Sequence, residues 1–597
     1  MSERMYVMWS EGKLLFGEIE AALGPAYSNL ISASMWFFDG KSRKEFDVRN
    51  SILTKNPRGI PVHGIKNKLG ALDFSLEAFS EFGLRPTCYV KVRVENNTDE
   101  KSAEILGAMI RTGKECELIE GAPDVYGPYN PKLSNWVSIS PTWKKEIGYL
   151  TDGERRICTQ GNIDFEFSSD TGELIAELSL EPGEVREGFF AFNIGAVESL
   201  DYEAKKEKAI SCWERELARI DAARIPESVL GDGEKMATIM NLTVQLLQCF
   251  CRPKGKNFVF ARQGGLQRQV WTFESLSVLE SLSRLGDFAD YIEPIIELYF
   301  NEFVTETGEV RIFGIQWGMV TANVIDSFSS YAIKKGDAAY FEKYFNAALK
   351  SFRWIRETRL SVKDAPNIVG GLFPPLQSTD CAFVCQSWLF TDVFNLRAIR
   401  AFADACEFFG KTDIAKEARA EFEEYLGLMK RTWERIKTYD GDKLILPYSP
   451  GLPDEIVEKS FSFSPGIAYF VEMLDLDEDD VFKIINTYTE KGMIRGGLYD
   501  RMPNKANPNN CTRYNLDENG KCIVWYVCCA EYYWFLYFLR HGYREKCEEI
   551  LSSLYRFAMT EEYYMIERFN QRDPYFTPWS PNASANGRIV NILLDLK

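Results

Sequence analysis

From about residue 226 to its end, the chain repeats one unit: a strongly apolar helical run, a short turn, then a more charged helical run. Five turns carry the rhythm: "LSRLGDFADY" (282–291), "AIKKGDAAYF" (332–341), "EFFGKTDIAK" (407–416), "MLDLDEDDVF" (473–482) and "FLRHGYREKC" (538–547). Glycine, aspartate or threonine–aspartate in such turns can end one helix and cap the next. The turns lie between 50 and 75 residues apart, enough for one helical hairpin and one long loop. This is a repeat of supersecondary structure with no obvious sequence repeat. One further helix is expected at the start (226–250) and one at the end (about 579–596). If those two pair, six hairpins close a ring. Runs before the turns, such as "VWYVCCAEYYWFLYFLR", are apolar on most sides and suit an inner ring. Runs after them, such as "YREKCEEILSSLYRFA", are amphipathic. A helical solenoid is the competing arrangement, but long irregular loops and a closing C-terminal helix favour an (α/α)6 toroid.

The first 200 residues obey a different period. "TCYVKVRVENNTDE" alternates apolar and polar residues and ends in a turn cluster. "NIDFEFSSDTGELIAELSLEPGEVREGFFAFNIGA" reads as three strands with two turns. A large antiparallel sandwich is expected. "SLDYEAKKEKAISCWERELARI" (199–220) then reads as a charged linker helix. The expected division is a β domain over 1–200, a helical linker over 201–225 and a toroid over 226–597.

Charge and motif content narrow the function. The net charge of −17 argues against nucleic acid or an anionic membrane as partner. No apolar run approaches the ~18 residues of a membrane span, and "MSERMYVMWSEGKLLFG" lacks the pattern of a signal peptide. Fourteen cysteines, with no Cys-x-x-Cys pair, then suggest free thiols in a reducing cytoplasm. Only two histidines occur, His63 and His541, so a zinc site or a Ser–His triad is not expected. No Walker A loop or dinucleotide fingerprint appears, and no cofactor is expected. Enzymatic chemistry, if present, rests on carboxylates. The aromatic share of 14% can serve both core packing and the stacking of sugar rings or bases.

In a toroid the short turns lie on one face, and the long loops enter the inner helices from the other. The loops are 251–270, 304–318, 359–385, 437–463, 492–522 and 560–578. They contain "ARQGGLQRQVW", "RIFGIQWG", "GLFPPLQSTDCAF", "RGGLYDRMPN" and "MIERFNQRDPYFTPWSPNASANGR". Aromatic faces suit pyranose rings, and Arg, Asn, Gln and Asp suit hydroxyls, so this face is the expected binding face.

This layout resembles the six-hairpin glycosidases, in which a β-supersandwich and a linker helix precede an (α/α)6 barrel, and their relatives the inverting glycoside phosphorylases. "IERFNQRDPYFTPWSPNAS" (566–584) is similar to the glucoamylase-type segment in which a general-base glutamate precedes a Trp-Ser pair. The resemblance implies Glu567 as base and Trp579–Ser580 as that pair. "GLFPPLQSTDCAFVCQSW" (371–388) looks like the loop that supplies the general acid, which implies Asp380. "RQVWTFESL" (268–276) is similar to the Arg-x-x-Trp-Thr-x-Asp segment of rhamnosidase-type enzymes. Glu274 stands where that family has aspartate, and the acid upstream of its arginine is missing, so Glu274 is expected to bind substrate.

Each candidate has a plainer reading. Glu567 could be a solvated loop glutamate or pair with Arg568. Asp380 could cap the helix that follows. Asp392, a turn further on, could make a structural hydrogen bond. Asp326, in "NVIDSFSSY", could bind substrate or pair with an arginine. Arg262, Arg268 and Trp271 could be helix-start packing. Trp317, Trp388, Tyr499, Asp500, Arg501, Arg568, Trp579 and Asn582 complete the expected substrate contacts. The leading expectation is an inverting glycosidase acting on an oligosaccharide or short glycan. A phosphorylase or a non-catalytic glycan-binding protein on the same scaffold are the alternatives, and a homodimer is left open.

Overall fold

The strand over Cys88–Glu95 turns Val90, Val92 and Val94 inward and its charged residues outward, as its alternation requires. The computed structural model describes residues 6–10, 13–17, 30–38, 41–46, 51–81, 87–113, 136–138, 144–146, 149–151, 155–194, 200–251, 259–261, 272–312, 317–365, 370–376, 387–445, 463–490, 494, 496–499, 525–526, 530–565, 568–569 and 582–596. Among these, the strand belongs to an antiparallel sheet in the order β11 (Lys144–Glu146), β12 (Tyr149–Thr151), β13 (Arg155–Gly161), β16 (Val185–Ile194), β8 (Cys88–Glu95), β7 (Leu72–Ser80), β6 (His63–Leu69) and β5 (Ile52–Leu53). Val92 stands opposite Leu76 on one side and Gly188 on the other.

A second antiparallel sheet runs β1 (Tyr6–Ser10), β2 (Lys13–Gly17), β3 (Leu30–Phe38), β9 (Ser102–Gly113), β15 (Glu173–Leu180) and β14 (Glu166–Ser168). Strand β4 (Arg43–Glu45) pairs with β3, and β10 (Trp136–Ser138) with β9. One core joins the two sheets, with Leu76, Val92 and Phe190 from the first and Met35, Leu106 and Leu178 from the second. This is the antiparallel sandwich that the alternation predicts.

Helix α1 (Tyr202–Leu217) connects this sandwich to the helices. Tyr202 and Ala209 pack with Phe79 and Tyr89 of the sheet, whereas Trp213 belongs to the helical core. Lys205 and Lys206 pair with Glu81 and Glu77.

The remaining α-helices among the described residues are α2 (Glu227–Leu230), α3 (Gly233–Gln248), α4 (Thr272–Leu285), α5 (Ala289–Leu298), α6 (Val320–Lys335), α7 (Ala338–Leu360), α8 (Leu389–Phe408), α9 (Thr412–Ile436), α10 (Phe463–Leu474), α11 (Glu478–Glu490), α12 (Ala530–Arg540), α13 (Arg544–Ser553) and α14 (Ala583–Asp595). All five expected turns join consecutive helices. In one, Gly336 ends α6, and Asp337 caps α7 by accepting from the backbone N–H groups of Ala339 and Tyr340 at 2.9 and 3.1 Å.

Helices α4, α6, α8, α10, α12 and α14 touch in that order, and α14 returns to α4. The ring is therefore closed. Helix α3 packs outside α14, so the first and last helices supply the sixth hairpin. Inner helix α6 is buried at nearly every position from Val320 to Ala332. Outer helix α7 buries a stripe: Tyr340, Phe341, Tyr344, Phe345, Ala348, Phe352 and Ile355. Among the described residues no helix is long and apolar enough to cross a membrane.

Closure depends on close contact between α14 and α4. Ser277 and Ser281 donate from their hydroxyls to the carbonyls of Ser584 and Gly587 at 3.0 and 2.8 Å. A Cβ on Gly587 would stand 2.4 Å from Ser277 Oγ and 2.6 Å from its carbonyl oxygen. Gly587→Val is expected to lower stability by about 2–3 kcal/mol through overpacking, read as a lower urea midpoint. An unchanged midpoint would mean that the ring does not need this contact.

Candidate active site

Because each inner helix follows a long loop, all six inner helices begin on one face of the ring. Thr272, Val320, Leu389, Phe463, Ala530 and Ala583 are their first residues. The loops that reach them carry most of the expected site. Arg262, Arg268, Trp271, Asp380, Asp500, Arg501, Glu567 and Trp579 lie outside the described residues, and Arg568 is described only as strand backbone.

The roots of the sixth loop are defined. The N–H of Asn582 donates to the carbonyl of Met565 at 3.1 Å, so the chain leaves and returns at the start of α14. Strand β18 (Arg568–Phe569) pairs with β17 (Trp525–Tyr526), which ties this loop to the one before α12. Asn582, expected at the substrate, uses its side-chain oxygen to cap α14, accepting from the Ala585 N–H at 2.8 Å. Gln245 of α3 donates to the Tyr563 carbonyl at 2.7 Å and accepts from Asn586 of α14 at 3.1 Å. A small cleft lies beside this root, where Asn56 and Gly59 to His63 of the β domain meet Asn241, Gln245 and Gln248 of α3 and Glu562 and Tyr564. His63 and the Tyr564 hydroxyl are 3.2 Å apart across it.

The other described candidates divide by depth. Glu274 sits in the first turn of α4, and Trp317 just precedes α6. Both are largely buried at the loop face. Trp388 is the residue before α8 and is fully enclosed. Asp392, in the first turn of α8, is 0% exposed. Its Oδ1 accepts from the Phe373 N–H at 2.8 Å and from the Tyr425 hydroxyl. Burial pushes the Asp392 carboxyl up to about 7, against the opposing pull of these two donors.

Asp326 lies midway along α6. It pairs with Arg397 of α8 at 3.4 Å and accepts from the Ser330 hydroxyl at 3.0 Å. Of the two readings the sequence allowed it, the structure displays the arginine pair. Tyr499, expected at the sugar, is 2% exposed, and its ring stacks on Trp534 with centroids 5.0 Å apart. That ring packs the back of α12.

Sequence reasoning passed over two features. Glu531 is a buried carboxylate in the first turn of α12, at the same level as Glu274. A lone acid inside the apolar run "CCAEYYW" was the available signal. Below the loop face lies a layer of buried charge. Arg588 of α14 pairs with Glu280 of α4, and Arg397 of α8 donates to the Tyr533 hydroxyl. Each of these charges sits in an apolar helix, where it is affordable only when paired. Among the described residues no group of three or more His, Cys, Asp or Glu could hold a metal ion.

With this geometry the chain was compared with known proteins. No protein-family model matches it, and no curated protein matches its sequence. Solved structures do. A bacterial glucoamylase complexed with acarbose superposes with a TM-score of 0.59 at 10% identity, over 100% of this chain and 94% of that one. A rhamnosidase from Klebsiella oxytoca with rhamnose bound gives a TM-score of 0.43 at 12% identity, over 96% of both chains. An α-mannosidase from Streptococcus pneumoniae in a non-productive complex with α-1,6-mannobiose gives 0.42 at 13%, over 65% of this chain and 98% of that one. Of these three, the glucoamylase alone is similar enough to establish a shared fold. The chain shares the fold of that glucoamylase.

Two outcomes follow from the buried carboxylates. Asp326→Ala leaves Arg397 buried without its carboxylate partner and should cost about 3–5 kcal/mol, measured by chemical denaturation. A change below 0.5 kcal/mol, the ordinary range of neutral surface substitutions, would leave the carboxylate free to serve substrate. Asp392 has a folded-state pKa raised from 3.8 to about 7. Its proton therefore stabilises the fold fully below the unfolded value, and that contribution is lost as pH rises to about 7. The stability difference between pH 5 and pH 8 should be more in favour of pH 5 in the wild type than in Asp392→Asn. Equal differences would show that Asp392 is ionised throughout this range.

Proposed function

We propose that the chain is an inverting glycoside hydrolase that cleaves an oligosaccharide or short glycan at the loop face of the barrel. Glu567 is the general base and Asp380 the general acid. The sixth-loop root carries the reading: Asn582 is bonded to Met565 across the start of α14, and Glu567 is two residues along from Met565. The fold shared with a glucoamylase that holds acarbose supports it.

In this mechanism Asp380 donates its proton to the glycosidic oxygen as the bond to the anomeric carbon breaks. Glu567 takes a proton from a water that attacks that carbon from the opposite face, and the anomeric configuration inverts. Such pairs stand ~6.5–9.5 Å apart to leave room for the water. Asp380 must start protonated, which burial or a neighbouring charge can arrange. Glu274, Trp317, Trp271, Arg262, Arg268, Asp500, Arg501, Arg568 and Trp579 are the residues proposed to hold and orient the sugar. The reaction draws on carboxylates and needs no cofactor.

The test is a screen of oligosaccharides with and without inorganic phosphate, read by product chromatography. Release of free sugar without phosphate is expected. Formation of a sugar phosphate that requires added phosphate would make the protein a phosphorylase. Binding by calorimetry without turnover would make it a glycan-binding protein. On the substrate found, Glu567→Gln and Asp380→Asn should each lower kcat by roughly 10²–10⁴-fold, the usual contribution of a positioned acid or base. Full activity in either variant removes that residue from the mechanism.

A further inference from the structure

The loop between α7 and α8 is gripped at its entrance by two fully buried ionisable side chains. Arg359, in the last turn of α7, is 0% exposed. Its Nη1 donates to the Gly371 carbonyl at 2.9 Å, and its Nε to Glu421 of α9 at 2.8 Å. Asp392, in the first turn of α8, holds the N–H of Phe373 at 2.8 Å. Tyr425 of α9 joins the two grips. Its hydroxyl donates to Asp392, and its ring lies under the Arg359 guanidinium at 4.6 Å. Three helices thus converge on the backbone of residues 371 and 373.

The loop backbone is shaped to meet this grip. Gly371 has φ +91°, a conformation that side chains rarely adopt, and a Cβ there would stand 3.0 Å from Leu428 and 3.3 Å from Arg359 Nη1. The chain enters α8 at the same place. Trp388 precedes α8, and its carbonyl accepts from the Asp392 N–H at 3.3 Å. Phe373 and Trp388 therefore both lie at the first turn of α8. Asp380 lies seven residues beyond Phe373.

We propose that Asp392 and Arg359 are positioning residues that hold the root of the Asp380 loop and so set where the general acid meets the glycosidic oxygen. This rests on the reading of Asp380 as that acid. A buried arginine, a buried carboxyl and a tyrosine are a costly way to secure a loop that only needs stability, since apolar packing of equal volume serves as well or better. They fix backbone position in a way that apolar contacts do not, and a misplacement of ~1 Å can cost ~10²-fold in rate. The groups that face Asp392 are Tyr425 from α9 and Arg359 from α7. Glu421 and Glu424 of α9 and Arg356 of α7 complete the charge around that arginine.

The test uses the substrate found in the screen and the 2,4-dinitrophenyl glycoside of the same sugar, whose leaving group needs no proton. Asp392→Leu removes the acceptor at similar volume, Asp392→Asn keeps it, and Tyr425→Phe removes one of its two donors. Each is checked for a native circular dichroism spectrum. Asp392→Leu should lose roughly 10–100-fold in kcat on the natural substrate with KM nearly unchanged. The loss on the activated glycoside should be under about threefold. Asp392→Asn should recover most of the rate, and Tyr425→Phe should fall between. If Asp392→Leu does not fold, Tyr425→Phe and Gly371→Ala carry the same comparison of the two substrates. Unchanged kcat, equal losses on both substrates, or an Asp392→Asn no better than Asp392→Leu would each overturn the proposal. Asp380→Asn is assayed beside them. Full turnover there overturns the acid assignment, whereas an inactive Asp380→Asn beside a fully active Asp392→Leu overturns the positioning role alone.

Discussion

Helix α14 is buried from Ala583 to Leu594, and the rest of the barrel depends on its fitting between α3 and α4. Ala583, Ser584, Ala585 and Gly587 keep its first turns thin enough for that space. Ser277 and Ser281 then bond its backbone carbonyls directly. A bulkier helix would hold the ring open. Because the last helix closes against the first pair, the loop before it is brought to the same face as the loop after α3. The sequence "MIERFNQRDPYFTPWSPN" precedes the final helix because that helix is an inner stave of the barrel.

Beneath that face the ring carries charge that an ordinary core would not. Arg588–Glu280 joins α14 to α4, and Asp326–Arg397 joins α6 to α8. Tyr533 of α12 receives a hydrogen bond from Arg397 and stands within 5.2 Å of the Arg588 guanidinium. These contacts cross the ring as well as follow it. Each pair is tolerable only with both partners in place, so the network penalises any slip of one inner helix against the next. It gives the loop face a rigid floor, which a site built from loops requires.

Two of the loops are rooted in the same manner. Loop six begins and ends on the start of α14, through Met565 and Asn582. The loop before α8 begins and ends on the start of that helix, through Phe373, Asp392 and Trp388. These are the loops with Glu567 and Asp380. The proposed mechanism needs these two carboxylates at a fixed separation, and loops rooted on rigid helices suit that requirement.

The order of elements was legible in the residues because local patterns decide it. The alternation in "TCYVKVRV" has one stable reading as a half-buried strand. The glycine and aspartate of "KKGDAAY" end one helix and cap the next without help from distant parts of the chain. Six hairpins counted along the sequence are six hairpins in the ring. The fate of single polar residues was not legible in this way. Nothing near Asp326 in the sequence names Arg397, 71 residues away, as its partner. Nothing near Asp392 reveals that Tyr425 and the Phe373 N–H will meet it, or that Tyr499 will stack on Trp534. Hydrophobic period is a property of neighbours in sequence, and it determined the strands, the helices and the closed count of hairpins. Partnership of buried charge is a property of neighbours in space, and only the closing of the ring decided it.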